Sequence, residues 1–294
     1  MSGTPGGTPP DGQGTSGELR EPRGPREPDG LDTQHAHGAR IYDYILGGKD
    51  HYPIDKEAGD AALAVWPALR THMRAGRSFM HRAVRYLAAE KGVRQFLDIG
   101  SGIPTRPNLH EVAQDAAPGS RIVYVDNDPL VGRHASALMA GSAGSAEGRT
   151  GFVQADMREP DTILDSREVR ETLDLERPVG LMLISVVHFI LEDDEAYRVV
   201  KRLVDAMPSG SHVAMTVATD DFNPVVLAGV SREYEARGEP LRFRTGDGAE
   251  RFFDGLELEE PGLVQMHKWR PEPGSSEQAA DEDIAMYGAV GRKP

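Results

Sequence analysis

The sequence predicts an α/β fold: a mostly parallel, seven-stranded sheet with helices on both faces and an antiparallel edge strand, preceded by a helical N-terminal segment. Three observations carry this. From residue 95 onward, strand-like apolar runs alternate with segments of helical period, the pattern of a parallel sheet covered on both faces. The last two apolar runs are joined by an acidic stretch with no helical period, as an antiparallel pair would be. Ahead of the first strand, residues 35–92 carry apolar positions at helical spacing.

Taken in order, residues 1–30 hold 8 Gly and 6 Pro and almost nothing apolar. Such a segment cannot offset the entropy of ordering it, so a disordered tail is expected over 1–34. The run ARIYDYILGGKDHYPID (39–55) follows, dense in Tyr, Ile and Leu. Helices are expected over Glu57–Leu69 and Arg74–Glu90, the second with Phe79, Ala83, Tyr86 and Leu87 on one face. The expected strands are Gln95–Ile99, Arg121–Val125, Gly151–Gln154, Leu181–Val187, His212–Ala218, Leu263–Trp269 and Ile284–Val290. Between the first five lie a helix at Leu109–Ala116, capped by Asn108 with Glu111, and helices at Pro129–Ala140, Thr162–Leu173 and Asp194–Met207. Residues 93–294 thus read as the sheet domain, and 35–92 as a helical N-terminal segment.

Bulk properties exclude several classes. The 294 residues are 38% hydrophobic, enough for a sizeable core. With 47 acidic against 33 basic residues the net charge is −14, which opposes binding to phosphate backbones. No nucleic acid partner is expected. Cysteine is absent, which removes disulfides and thiolate metal sites. His110-Glu111 is not part of HExxH, because position 114 is Gln114, so no metal is expected. No apolar run is long enough to cross a bilayer, and a cytoplasmic protein without a membrane partner is expected.

The first strand ends in Asp98 and runs into Gly100-Ser101-Gly102. Glycines at this turn let the backbone approach a ligand beside a helix N-terminus. The third glycine of a dinucleotide fingerprint is missing, since Thr105 stands there. The second strand ends in Asp126-Asn127-Asp128, where a carboxylate suits the two hydroxyls of a ribose; an Asx turn starting the next helix is the alternative. The third ends in Asp156-Met157, suited to an adenine amine and ring nitrogen. All three stand at carboxyl ends of successive strands, where open α/β sheets bind ligands. The fourth runs into Ser185 and His188. His188 is a candidate general base, with structural packing as the competing role.

These residues resemble the class I S-adenosylmethionine (SAM)-dependent methyltransferases with their Rossmann-like fold. More narrowly, they resemble the S-adenosyl methyltransferase family numbered methyltransferase family 19. The stretches that carry the likeness are ARIYDYILGGKDHYPID, FLDIGSGIPTRPNLHEVAQ (96–114), VYVDNDPLV (123–131), FVQADMREP (152–160), RFFDGLELEEPGLV (251–264) and YGAVGRKP (287–294). The resemblance implies that Gly100, Ser101 and Gly102 line the methionine and ribose of SAM. It implies that Asp126 holds the ribose with Asn127 beside the adenine, that Asp156 and Met157 bracket the adenine, and that Ser185 lies under the methionine part. Tyr42 to Gly48 would form a lid. Relatives often carry Asn where this chain has Gly76, which leaves any polar contact there open.

Methyl transfer from a sulfonium needs proximity, alignment and exclusion of water, and a base only when the acceptor must lose a proton. Tyr42 and Tyr44 would offer faces and hydroxyls to a small-molecule acceptor, with Lys49 and His51 as alternate bases. A SAM-binding regulatory protein without catalysis stays open, and so does an NAD-dependent oxidoreductase, disfavoured by the missing glycine.

Overall fold

Alternating strands and helices close around one sheet in the computed structural model, which describes residues 31–142, 148–272 and 279–294. The expected disordered tail lies, up to residue 30, outside the described residues. Residues 33–294 form one compact unit, within which the expected boundary near residue 92 falls. Three helices, α1 (Gly38–Leu46), α2 (Pro53–Val65) and α3 (Leu69–Ala89), precede β1 (Gln95–Ile99). The chain continues through α4 (Leu109–Ala116), β2 (Arg121–Asp126), α5 (Pro129–Ser142), β3 (Thr150–Gln154), α6 (Pro160–Leu164), α7 (Arg167–Thr172) and β4 (Gly180–Leu183). It ends with α8 (Asp193–Ala206), β5 (His212–Ala218), α9 (Pro224–Glu235), α10 (Gly246–Glu250), β6 (Glu257–Leu258), β7 (Val264–Gln265) and β8 (Met286–Arg292).

The strand order is β3-β2-β1-β4-β5-β8-β6, with β7 also on β8. Strands β1 to β5 are parallel, and β8 runs antiparallel to β5 from His212↔Arg292 to Ala218↔Met286. On its other edge β8 pairs first with β7 (Val264↔Gly288) and then with β6 (Leu258↔Gly291). These two short strands share the place of one outer strand, so eight strands fill seven positions. The antiparallel strand β8 is therefore second from the edge.

Successive residues of β1 point to opposite faces. Leu97 and Ile99 enter one core with Val123, Leu181 and Val213, while Phe96 enters the other with α3 and α4. A third apolar cluster joins α1, α2 and α9 through Ile41, Ile45, Trp66, Leu227 and Val230. No helix among the described residues is long and apolar enough to cross a membrane.

Local chemistry moves several element ends. Asp55 accepts from the Tyr52 N–H at 2.8 Å and starts α2 early, at Pro53. The helix expected over Thr162–Leu173 breaks at Ser166, whose hydroxyl caps α7 by accepting from Val169 N–H at 3.2 Å. The fourth strand stops at Leu183, four residues short of expectation, because Ser185 turns left-handed with φ 56° and donates its N–H to Thr216 Oγ1 at 2.8 Å. His188 consequently sits in a short 3-10 turn, Val187–Phe189, rather than on a strand tip. The run Leu263–Trp269 pairs only at β7; its apolar residues serve packing instead, with Trp269 fully buried edge-on to Phe79 and Tyr86.

Candidate active site

The order of strands reverses between β1 and β4, and a crevice opens at their carboxyl ends. Roofed by α1, α3 and α9, it is a cavity of about 630 Å³, within the ~300–1,000 Å³ of small-molecule sites.

The turn after β1 is built for close approach. Gly100 has φ 71°, and a Cβ there would lie 2.4 Å from Val186 Cγ2. Its N–H and that of Ser101 donate to Val125 O at 2.8 and 3.0 Å. Gly102 also has a positive φ, 66°, but a Cβ there would meet nothing within 4 Å. Its side faces empty space that a ligand can fill. The Gly102 N–H donates to Asp126 Oδ2 at 2.8 Å, and Asp128 N–H donates to Asp126 Oδ1 at 3.0 Å. Asp126 thus ties the first two strand tips together while lining the cavity. Burial pushes its carboxyl up, and these two N–H groups pull it back.

At the tip of β3, Asp156 accepts from the Arg158 backbone N–H at 2.9 Å and from its Nη2 at 2.6 Å. Burial raises the carboxyl pKa, but Arg158 and a side-chain bond from Asn127 outweigh it and hold the group below its ordinary range. Met157 is buried beside it, and Asn127, Asp156 and Met157 all line the cavity. So does Ser185, whose left-handed backbone is a strained conformation for a residue with a side chain.

His188 lines the far half of the cavity and is 8% exposed, and among the described residues its Nδ1 has no hydrogen-bond partner. Burial, with smaller contributions from His72 and Arg244, lowers its pKa to about 3. Arg244 lies beneath the turn, donating to Val187 O and Ile190 O at 3.2 and 2.8 Å and pairing with Asp193. The ring is therefore neutral and firmly placed. The acidic run at 192–195 begins α8, as its charge favours.

Helix α1 covers the crevice. His37 caps it by accepting from Ala39 N–H at 3.3 Å, and Gly47 ends it in the left-handed region with φ 88°. Arg40, buried, makes a two-bond ion pair with Asp128, Nε to Oδ2 at 2.7 Å and Nη2 to Oδ1 at 3.0 Å. The Asx residue beyond β2 therefore does two jobs: it caps α5 through Leu130 N–H at 2.9 Å and holds the covering helix. Tyr42 lines the cavity and donates to Met73 O at 3.0 Å; burial pushes its phenol up to about 12.

Ten of the expected site residues thus meet in one cavity, and Gly48 does not. A Cβ on Gly48 would fall 1.9 Å from Asp43 Oδ1, so this glycine makes room for the Asp43 carboxylate, which accepts from Asp50 N–H and binds His51 Nδ1, each at 2.9 Å. Lys49 and His51 also lie outside the cavity lining. Tyr44 turns away as well, bonding Asp60 and packing on Gly59. Helical spacing explains the split, since Tyr42 and Tyr44 stand about 200° apart around α1.

Several lining residues were not anticipated. From α3 come His72, Met73 and Arg77; from the end of β1, Asp98; and from α9, Leu227, Val230 and Tyr234. His72 Nδ1 accepts from Ala285 N–H at 3.3 Å, and burial lowers its pKa to about 4. Asp98 is 8% exposed, and burial pushes its carboxyl up to about 7. Pro224 at the first helical position and Gly238 just beyond the end were the available signals for α9. At Gly76 a Cβ would lie 3.6 Å from Ser185 Oγ, so the absent side chain leaves the space beside Ser185 open.

Comparison with known proteins agrees with this architecture. Residues 25–294 match the family profile described as S-adenosyl methyltransferase. A DUF574 family protein from Streptomyces avermitilis MA-4680 is 58% identical, with 90% of this chain and 99% of that one covered at a TM-score of 0.86. A candidate methyltransferase from Thermobifida fusca YX is 37% identical, with 90% and 98% covered at a TM-score of 0.82. No curated protein matches the sequence.

Proposed function

We propose that this chain, which belongs to the S-adenosyl methyltransferase family, methylates a small molecule held in the apolar half of its cavity. One observation carries the reading. A single cavity joins the strand-tip residues Gly100–Gly102, Asp126 and Asp156 to a compartment walled by Met73, Leu227, Val230, Phe243 and Met286.

The residues present fit the donor. Gly102 fronts open space, Asp126 presents a carboxylate suited to ribose hydroxyls, and Asn127, Asp156 and Met157 form a wall suited to adenine. Bound there, SAM supplies a methyl carbon already activated by its sulfonium. The chain's task is then to align the acceptor and exclude water. Helix α1, latched by Arg40 to Asp128, provides the cover. We read residues 35–92 as the lid and its supporting helices, and 93–294 as the donor-binding domain.

His188 is the proton acceptor in this reading, through its unpartnered Nδ1. A base of low pKa suffices for a hydroxyl acceptor, because its oxygen becomes strongly acidic as it gains the methyl group. The apolar compartment suits a small molecule of the cytoplasm better than a nucleic acid, whose phosphates the net charge of −14 would repel.

The test is incubation with methyl-labelled SAM and the small-molecule fraction of a cell extract. Labelled product is expected in that fraction with the wild type and at a much lower rate with His188→Ala. SAM binding without labelled product from any fraction would favour a regulatory binding protein instead.

A further inference from the structure

Where helix α1 meets the turn after β4, a carboxylate borders the cavity without a counter-ion. Glu239 follows α9, in the segment 239–243 that runs beside the His188 turn, with the Arg242 N–H donating to His188 O at 2.8 Å. Its Oε2 accepts from the Gly38 N–H at 3.1 Å. Among the described residues the carboxylate makes no other hydrogen bond and no ion pair. His37 and Arg40 act on it only through space, and Arg40 already holds Asp128 with Nε and Nη2. Burial is the largest influence on Glu239, and it raises the carboxyl pKa.

Aromatic rings stand beside it. A Cβ on Gly38 would lie 2.7 Å from Phe189 Cζ and 3.3 Å from Glu239 Oε2, so ring and carboxylate border the same gap. Phe189 is half-buried and packs on His188 with ring centroids 4.5 Å apart. Tyr234 is buried nearby; burial, then the charge of Glu239, push its phenol up. Glu239, Phe189, His188 and Tyr234 all line the cavity.

A half-buried carboxylate with one neutral donor is short of compensating charge. A carboxylate edged by aromatic rings suits an organic ammonium, which pairs with the one and rests on the other. The rest of the lining points the same way. Six carboxylates and two guanidinium groups line the cavity, and one of the latter, Arg158, is bonded to Asp156. Such a field draws cations in, while Met73, Leu227 and Val230 offer an apolar wall for the body of the molecule.

We propose that Glu239, with the Phe189 ring beside it, binds an ammonium group of the methyl acceptor, which makes the substrate class amines with an apolar body. An ammonium has no lone pair, so it anchors the molecule while a second group, toward His188, takes the methyl. The proposal rests on the reading of the apolar compartment as the acceptor site.

Ligand-observed NMR titration of the full chain, saturated with S-adenosylhomocysteine, tests it with two probes of one shape. Phenethylamine is a cation at neutral pH, and 2-phenylethanol is uncharged. A charge-assisted hydrogen bond contributes roughly 10–100-fold in affinity, and the wild type should prefer the amine by about that factor. Glu239→Gln keeps an oxygen for the Gly38 N–H and should bring the ratio to near unity, with phenylethanol affinity within a few-fold; Glu239→Asp should restore part of the preference. If Glu239 only fastens α1, Glu239→Gln changes both affinities together and leaves their ratio intact, which overturns the assignment. A wild type that binds the two probes equally, or prefers the alcohol, overturns it as well while the acceptor compartment stands. A wild type that binds neither probe overturns both.

Discussion

Replacing Asp98 by Asn should stabilise the ligand-free protein in a pH-dependent way. The side chain is 8% exposed, and burial displaces its pKa from 3.8 to about 7. Below pH ~4 the carboxyl is neutral in both the folded and unfolded chain and costs nothing. Between about 4 and 7 the unfolded chain ionises while the folded one keeps its proton, so stability falls as pH rises. Above 7 the full cost is present. At about 1.36 kcal/mol per tenfold, it approaches 4 kcal/mol as a ceiling. Asn keeps the volume and does not titrate. Urea unfolding of both proteins at pH 5 and pH 8 should show the variant's advantage growing by about 2–3 kcal/mol between the two. An advantage equal at both pH values, or a variant less stable at both, would refute the reasoning.

Asp126→Asn should weaken S-adenosylhomocysteine binding by about 1.5–3 kcal/mol; unlike Ala it keeps the volume and an acceptor for one of the two N–H groups of Gly102 and Asp128, which bond different oxygens of the carboxylate. Arg40→Met should cost about 3–5 kcal/mol of stability by removing the guanidinium from the buried Asp128, which keeps only His37 Nδ1 at 3.5 Å and the Leu130 N–H beside it, and Arg40→Met with Asp128→Asn should recover much of it in thermal melts. Because His188 is held at about 3, it stays neutral above pH 5 and should contribute no acid limb to kcat.

Features set by local spacing were legible in the sequence. The Gly100-Ser101-Gly102 turn, the strand-end acids and the alternation that lays them side by side all follow from short-range patterns. Asn108 shows the same: its N–H reaches Glu111 at 2.7 Å, as the spacing implied. Features set by distant partners were not. Arg40 and Asp128 are 88 residues apart, and nothing in either neighbourhood marks the pairing. Ser185 reads as strand by its apolar neighbours, yet its bond to Thr216 bends the chain away. Gly48 looked like part of a ligand loop because glycine serves both ligands and tight turns, and here Asp43 requires the space. Helix α9 was obscured by the run Val225-Val226-Leu227, which lacks a clean helical period although Leu227, Val230 and Tyr234 do face inward.

A crystal structure of the protein with S-adenosylhomocysteine tests the central claim most directly. The ribose hydroxyls should lie within hydrogen-bond distance of Asp126, the adenine between Asn127, Asp156 and Met157, and the sulfur should face the compartment that holds His188. Adenosine bound elsewhere, or seated with its ribose away from Asp126, would contradict the account.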